Sequence, residues 1–242
     1  MNEAFAASFA TKVDIARSLV RDHFTIDARP CITCSFQAED IVALHLVREF
    51  APNVPVLFLD TGYHFEEVYH YRDAIAKRWN LNLINLLPKQ SVAEQESQFG
   101  RLYETAPDRC CAARKVEPLF AALENYRTWF TGLRREQSRS RATLQAVDPF
   151  ALPTGTRLQK ISPLADWTTR EVWAYATEHQ LELLSLYDKG YYSIGCEPCT
   201  SLPSNSDDPR SGRWGGRKLE CGIHIQPMAA ADEANRERGT NA

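Results

Sequence analysis

An α/β fold built on a parallel sheet is what this chain predicts, and three observations carry the prediction. Short apolar runs alternate with helical stripes as far as residue 181, the runs end in polar loops, and periodicity fades from Asp188 onward. With 44% hydrophobic residues, 242 residues are enough to bury one main core with an appendage.

The elements follow in order. Phe5, Phe9, Val13, Ala16, Val20 and Phe24 recur every three or four residues, which predicts an amphipathic helix over 3–24. A strand is expected near 30–36, a helix near 39–50, and a strand near 54–59 that runs into Asp60-Thr61-Gly62. Val68, Tyr71, Ile75 and Trp79 mark a helix over 64–79, and a strand follows near 81–87. Ser91 with Glu94 three residues on is a capping box, as is Thr168 with Glu171, which opens a helix reaching about residue 181. Between them lie strands near 127–132 and 157–162. Beyond Asp188, Gly, Pro, Ser, Arg and Cys dominate as far as His224, and past Met228 the polar composition is that of a disordered tail.

The net charge of -3 argues against a basic nucleic-acid-binding surface. The first ten residues hold Glu3 and no lysine or arginine, and no apolar run approaches a membrane span, so a cytoplasmic protein is expected. Structural disulfides are rare in that compartment, so seven cysteines call for metal binding or nucleophilic chemistry.

Cys110-Cys111 and Cys196-x-x-Cys199 admit two readings, buried small hydrophobes or a thiolate quartet for zinc or an iron-sulfur cluster. Neighbouring residues on a helix point about 100° apart, so an adjacent pair embraces a bulky cluster more easily than one ion. Cys31 and Cys34 also spell C-x-x-C, but on a strand they point to opposite faces and read as core. Cys221 stands alone downstream of Arg210, Arg213 and Arg217, cations that favour a thiolate. It reads as a nucleophile or as an idle thiol. The loop from Ser35 to Glu39 offers backbone N–H groups to an anion, or is a plain strand-to-helix turn, and Asp60-Thr61-Gly62 poses the same choice. Arg134, Arg135, Arg210 and Arg213 are surface charge or partners for phosphate and sulfate.

Taken together, Ser35 to Asp40, Leu59 to Gly62, Cys110-Cys111-Ala112-Ala113-Arg114-Lys115, Gly132 to Ser138, Cys196 to Cys199 and Glu220-Cys221-Gly222-Ile223-His224 resemble the assimilatory adenylyl-sulfate reductases, within the wider adenylyl-sulfate and phosphoadenylyl-sulfate reductase family. The resemblance covers nearly the whole folded chain. It implies an adenine-nucleotide alpha-hydrolase-like fold of the ATP-pyrophosphatase type, with a nucleotide-binding domain over 1–195, a mobile C-terminal segment over 196–228 and a tail over 229–242. It also implies one [4Fe-4S] cluster per chain on Cys110, Cys111, Cys196 and Cys199, and Cys221 as nucleophile. Ser35, Gln37, Asp40, Thr61, Gly62, Lys115, Arg134, Arg210 and Arg213 become the expected substrate-binding residues. The implied reaction reduces adenylyl sulfate to sulfite and AMP through a thiosulfonate on Cys221, with thioredoxin or a glutaredoxin-like dithiol as reductant. A homo-oligomer is compatible with the family.

One departure stands at Gln37-Ala38, where many relatives read S-F-S-G-A-E-D. Three rivals are a phosphoadenylyl-sulfate reductase, whose members usually lack the cluster cysteines, an ATP-pyrophosphatase-like or RNA-thiolating enzyme, whose S-G-G-x-D-S loop does not fit Ser35-Phe36-Gln37-Ala38, and a non-catalytic nucleotide-binding module with a structural zinc site on the cysteine quartet.

Overall fold

The structure, a computed structural model, describes residues 3–25, 28–205, 208, 210–216, 218 and 220–225. The expected tail over 229–242 and Arg217 lie outside the described residues.

Helix α1 (Glu3–His23) buries Phe9, Val13, Ala16 and Val20, the stripe its sequence spacing predicts. Strand β1 (Pro30–Thr33), helix α2 (Ala38–Phe50), strand β2 (Pro55–Leu59), helix α3 (Glu66–Trp79) and strand β3 (Asn82–Leu86) then alternate. Helices α4 (Val92–Phe99), α5 (Leu102–Thr105) and α6 (Pro107–Cys111) lead through a π-turn (Ala112–Val116) into α7 (Glu117–Leu123). Strands β4 (Thr128–Phe130), β5 (Val147–Ala151) and β6 (Arg157–Ile161) and helix α8 (Thr169–Glu178) complete the strands and α-helices among the described residues. Both expected capping boxes are present, at Ser91 before α4 and at Thr168 before α8.

The six strands form one sheet in the order β3-β2-β1-β4-β6-β5, parallel throughout except that β5 pairs antiparallel with β6. Strand β5 escaped the sequence reading because Asp148 and Pro149 break its apolar pattern. Proline is tolerated there because β5 is an edge strand.

Alternate residues of the central strands face two cores. Ile32, Val56, Phe58 and Phe130 join α1, α2 and α8 on one face, whereas Cys31, Leu57 and Trp129 join Leu119 and Leu123 of α7 on the other. Cys31 on β1 and Cys34, one residue past its end, fall in different cores and are 0% and 2% exposed, so both are core residues although the strand stops short of the expected residue 36.

Strand order reverses beside β1, with β2 on one side and β4 on the other. Loops leaving the ends of β1 and β4 therefore diverge and open a crevice, the usual ligand position in such sheets. Among the described residues no helix is long and apolar enough to cross a membrane.

Candidate active site and cysteine cluster

A cleft of about 240 Å3 opens at those strand ends, and its walls include Ser35, Gln37, Asp40, Lys115, Arg134, Arg210, Arg213 and Cys221. Seven of the nine expected substrate-binding residues and the expected nucleophile thus share one cavity.

The loop after β1 is held from within. Asp40 turns back from α2 so that its Oδ2 accepts from the Ser35 backbone N–H at 2.7 Å and from Ser35 Oγ at 2.5 Å. Burial pushes the Asp40 carboxyl above its ordinary range, and the Ser35 hydrogen bonds oppose that shift. Gln37 donates from Nε2 to Ser35 Oγ at 3.0 Å and accepts on Oε1 from the Ile194 N–H at 2.8 Å. Its amide thereby ties the loop to the C-terminal segment. Phe36, fully buried between Phe58 and Tyr71, adopts φ 61°, a left-handed conformation that is costly for a bulky residue and is typical of ligand loops. Gly132, after β4, leaves no room for a Cβ against the Asp40 carboxylate and backbone.

Arg134 lines the cleft, but both of its Nη atoms are already occupied, whereas Nε is buried without a hydrogen bond. Nη2 donates to Glu39 Oε1 at 2.6 Å and to Thr169 Oγ1 at 3.2 Å, while Nη1 donates to Glu136 Oε2 at 2.9 Å and to the Trp167 carbonyl at 3.1 Å. With a side chain 3% exposed, it binds the β4 loop to α2 and α8. Glu136 also accepts from the Thr169 N–H and hydroxyl, so it serves the same joint.

Thr61 and Gly62 are placed away from the cleft, at the cysteines. Thr61 is fully buried, with Oγ1 3.3 Å from Cys196 Sγ, and its carbonyl accepts from Arg114 Nε at 2.5 Å. Gly62 has φ 72°, and a Cβ there would meet Val92 Cγ2 at 2.7 Å and Arg114 Nη2 at 3.2 Å.

The four expected ligand cysteines line a second cavity, together with Tyr63, Tyr103, Pro107, Arg114 and Lys115. Cys110 and Cys111 end α6 where the helix widens into the π-turn, a distortion common at functional sites. The turn from Cys196 to Cys199 is pinned by the Glu197 N–H, which donates to the Tyr63 carbonyl at 2.7 Å. All four thiols are free, Cys110, Cys111 and Cys196 are buried, and Cys199 is half-buried. Burial pushes the Cys110 thiol up to about 11, and neighbouring Cys111 adds to that while Arg114 opposes it. Lys115 lines both cavities. Burial alone would lower its pKa, but the facing Cys196, Cys221 and Cys111 outweigh burial and raise it. The donor set fits a cluster, with four sulfurs around one cavity and cations beside them. Among the described residues no three His, Cys, Asp or Glu side chains form a ready single-ion site.

Cys221 enters the cleft on a segment with three attachments. Glu220 accepts from Arg141 Nε at 3.0 Å, Arg141 Nη2 at 2.8 Å and Ser140 Oγ at 2.9 Å, with Arg210 Nη2 3.7 Å away. His224 stacks on Trp129 with centroids 5.3 Å apart, and Lys218 Nζ donates to Asp108 Oδ1 at 2.5 Å. Arg213 lies over Trp214 at 4.4 Å and presses on Gly195, where a Cβ would collide with its guanidinium. The Glu220–Arg141 pair was missed from sequence; the signal that could have found it is the pair of cations in Arg139-Ser140-Arg141.

The phosphoadenosine phosphosulfate reductase domain family matches residues 29–202. An adenosine 5'-phosphosulfate reductase of Streptomyces coelicolor is 44% identical over 217 residues, covering 89% of each chain. Another, of Bacillus thuringiensis, is 42% identical over 198 residues, covering 80% of this chain and 82% of that one. The crystal structure of a phosphoadenylyl-sulfate reductase from Candida auris, in complex with phosphate, aligns with a TM-score of 0.68 at 25% identity, over 83% of this chain and 98% of that one. A yeast FAD synthetase in complex with FAD has a TM-score of 0.61 at 14% identity, over 100% and 86% of the two chains, and shares the fold alone. A cleft at the strand ends, a match over most of the chain and relatives of over 40% identity agree, and the chain belongs to the phosphoadenosine phosphosulfate reductase domain family as an adenine-nucleotide alpha-hydrolase-like oxidoreductase acting on sulfur.

Proposed function

We propose that the chain reduces adenylyl sulfate to sulfite and AMP, with Cys221 as the nucleophile. The observation that carries this reading is the presence of Cys221, Lys115, Arg210 and Arg213 in the walls of one cleft at the strand ends. A thiolate attacking an anionic sulfuryl group needs cations around the developing charge, and these three supply them. The nucleoside lies toward the Ser35 loop and the phosphosulfate toward Cys221.

In the first step the Cys221 thiolate forms a bond to the sulfur of the sulfuryl group, and the sulfur–oxygen bond to the phosphate breaks, releasing AMP. A thiosulfonate remains on Cys221. A dithiol of the thioredoxin or glutaredoxin type then attacks Cys221 Sγ, sulfite leaves with the electron pair of the S–S bond, and the second thiol closes a disulfide on the reductant. The segment carrying Glu220 and Cys221 swings out for that exchange. The reaction belongs to cytoplasmic sulfate assimilation, on the way to cysteine.

Cys110, Cys111, Cys196 and Cys199 would hold one [4Fe-4S] cluster, since their sulfurs ring a cavity that includes an adjacent pair. When bound, the cluster supplies a fixed anionic charge and a structural tie, because the dithiol provides both electrons. Lys115, which lines both cavities, orients the substrate from the cluster side.

The names of the family and of the Candida auris relative favour a second substrate, the 3'-phosphorylated nucleotide, while the names of the Streptomyces and Bacillus relatives favour adenylyl sulfate. Sulfite release from both nucleotides with thioredoxin, using protein purified without oxygen, decides between them. Mass spectrometry of the same reaction without reductant should find the sulfonate on Cys221, and Cys221→Ser should carry none. Undiminished sulfite from Cys221→Ser would remove the mechanism.

A further inference from the structure

Arg114 is 3% exposed, and everything its guanidinium touches is neutral. Nε donates to the Thr61 carbonyl at 2.5 Å, and Nη1 donates to Gln95 Oε1 at 3.0 Å and to the Gln90 carbonyl at 3.3 Å. The Tyr63 ring centroid lies 5.1 Å away. Among the described residues no carboxylate pairs with it. A guanidinium stays ionised in a protein, and a buried charge without a counter-charge is strongly unfavourable.

The choice of residue at position 95 sharpens the point. Gln95 is 2% exposed and sits between Glu94 and Glu96 on α4, so the one side chain of the three that meets Arg114 is an amide. A carboxylate of the same shape would neutralise Arg114. Arg114 lines the cysteine cavity and not the cleft, so a bound nucleotide is not its missing partner. Cys110 precedes Arg114 by four residues, as Cys111 precedes Lys115, which sets two thiols and two cations in one register.

We propose that Arg114 is a buried counter-cation dedicated to the cysteine-bound iron-sulfur cluster, retaining the cluster and raising its reduction potential by charge, in a role separate from the cleft-facing Lys115, Arg210 and Arg213. This rests on the cluster reading of the four cysteines. Cluster potentials respond to nearby charge, and residues behind the ligands govern retention.

The test uses the full chain purified without oxygen as wild type, Gln95→Glu and Arg114→Lys. Gln95→Glu keeps the shape and the hydrogen bond to Arg114 Nη1 while cancelling its charge. It is expected to speed cluster loss to an iron chelator by roughly 10- to 100-fold and to move the cluster midpoint potential to more negative values. Its thermal unfolding after the cluster is stripped should be no lower than that of the wild type. Arg114→Lys keeps the charge and should hold the potential near that of the wild type.

Wild-type retention and potential in Gln95→Glu overturn the proposal, as does an Arg114→Lys potential that falls as far as that of Gln95→Glu. Iron and acid-labile sulfide in the wild type separate the two failures. A wild-type chain with neither removes the cluster reading and the proposal with it, whereas a loaded wild type beside an unchanged Gln95→Glu removes the proposal alone.

Discussion

The two ends of the cleft treat their charges in opposite ways. Beside β4, Arg134 meets Glu39 and Glu136, and every partner is a fixed part of the fold. Near Cys221, Lys115 and Arg213 have no carboxylate partner among the described residues, although Arg210 lies 3.7 Å from Glu220; Nε is buried without a hydrogen bond in both Arg134 and Arg213. A cation supplied with its own carboxylates is a joint. One denied them is a place for an outside anion, because leaving it bare inside protein is costly. The difference is in keeping with the proposed placement of the uncharged nucleoside at the first end and the charged groups at the second.

The largest test falls on the paired end. Removing one partner of a buried ion pair costs about 3–5 kcal/mol, so Arg134→Gln should lose that much in urea unfolding. A stable Arg134→Gln chain with poor nucleotide binding would instead make Arg134 a ligand and erase the contrast. At the other end, Lys115→Gln should leave unfolding little changed and slow sulfonate formation on Cys221 by about 10²–10³, the usual loss for one transition-state donor. A rate near that of the wild type would deny Lys115 its role.

Glu220 is a smaller and sharper probe, since its carboxylate fastens the Cys221 segment to Arg141. Glu220→Gln gives up charge-assisted hydrogen bonds worth about 1.5–3 kcal/mol, so alkylation of Cys221 by iodoacetamide should quicken by about tenfold or more. Burial alone would raise the Glu220 carboxyl, but Arg141 and Arg210 outweigh burial and hold it below the ordinary 4.5. A lowered folded value means stability that is complete above the unfolded value and lost as pH falls through the folded one. The unfolding difference between wild type and Glu220→Gln should therefore be present at neutral pH and vanish on acidification below 4.5. A difference that persists there would rule out the carboxylate as its source. Smallest is Thr168→Ala, which removes the cap of the helix that receives Glu136 and should cost about 1 kcal/mol in urea unfolding.

Much of this was legible in the residues themselves. Helical stripes and capping boxes located α1, α4 and α8 because those signals are local, and strand alternation separated Cys31 from Cys34. The cysteine quartet and the cleft cations were legible as motifs. What stayed hidden depended on distance in space: Thr61 and Gly62 turn toward the cysteines because Arg114 reaches over from the π-turn, and Arg134 is paired by Glu39, 95 positions earlier. The tie from Gln37 to Ile194 spans 157 positions and was equally invisible.

The π-turn has a consequence for how this helix can vary. Each residue of an α-helix advances the facing by about 100°, so one residue more or less rotates everything downstream by that angle. Here the widened turn works as a phase adjuster between two clients, Cys110 and Cys111 before it and the Leu119 and Leu123 stripe after it. Deleting Ala112 would straighten the helix while setting its two halves to the wrong clock positions. The bulge lets a cysteine-bearing face and a core-packing face share one helix without sharing one period.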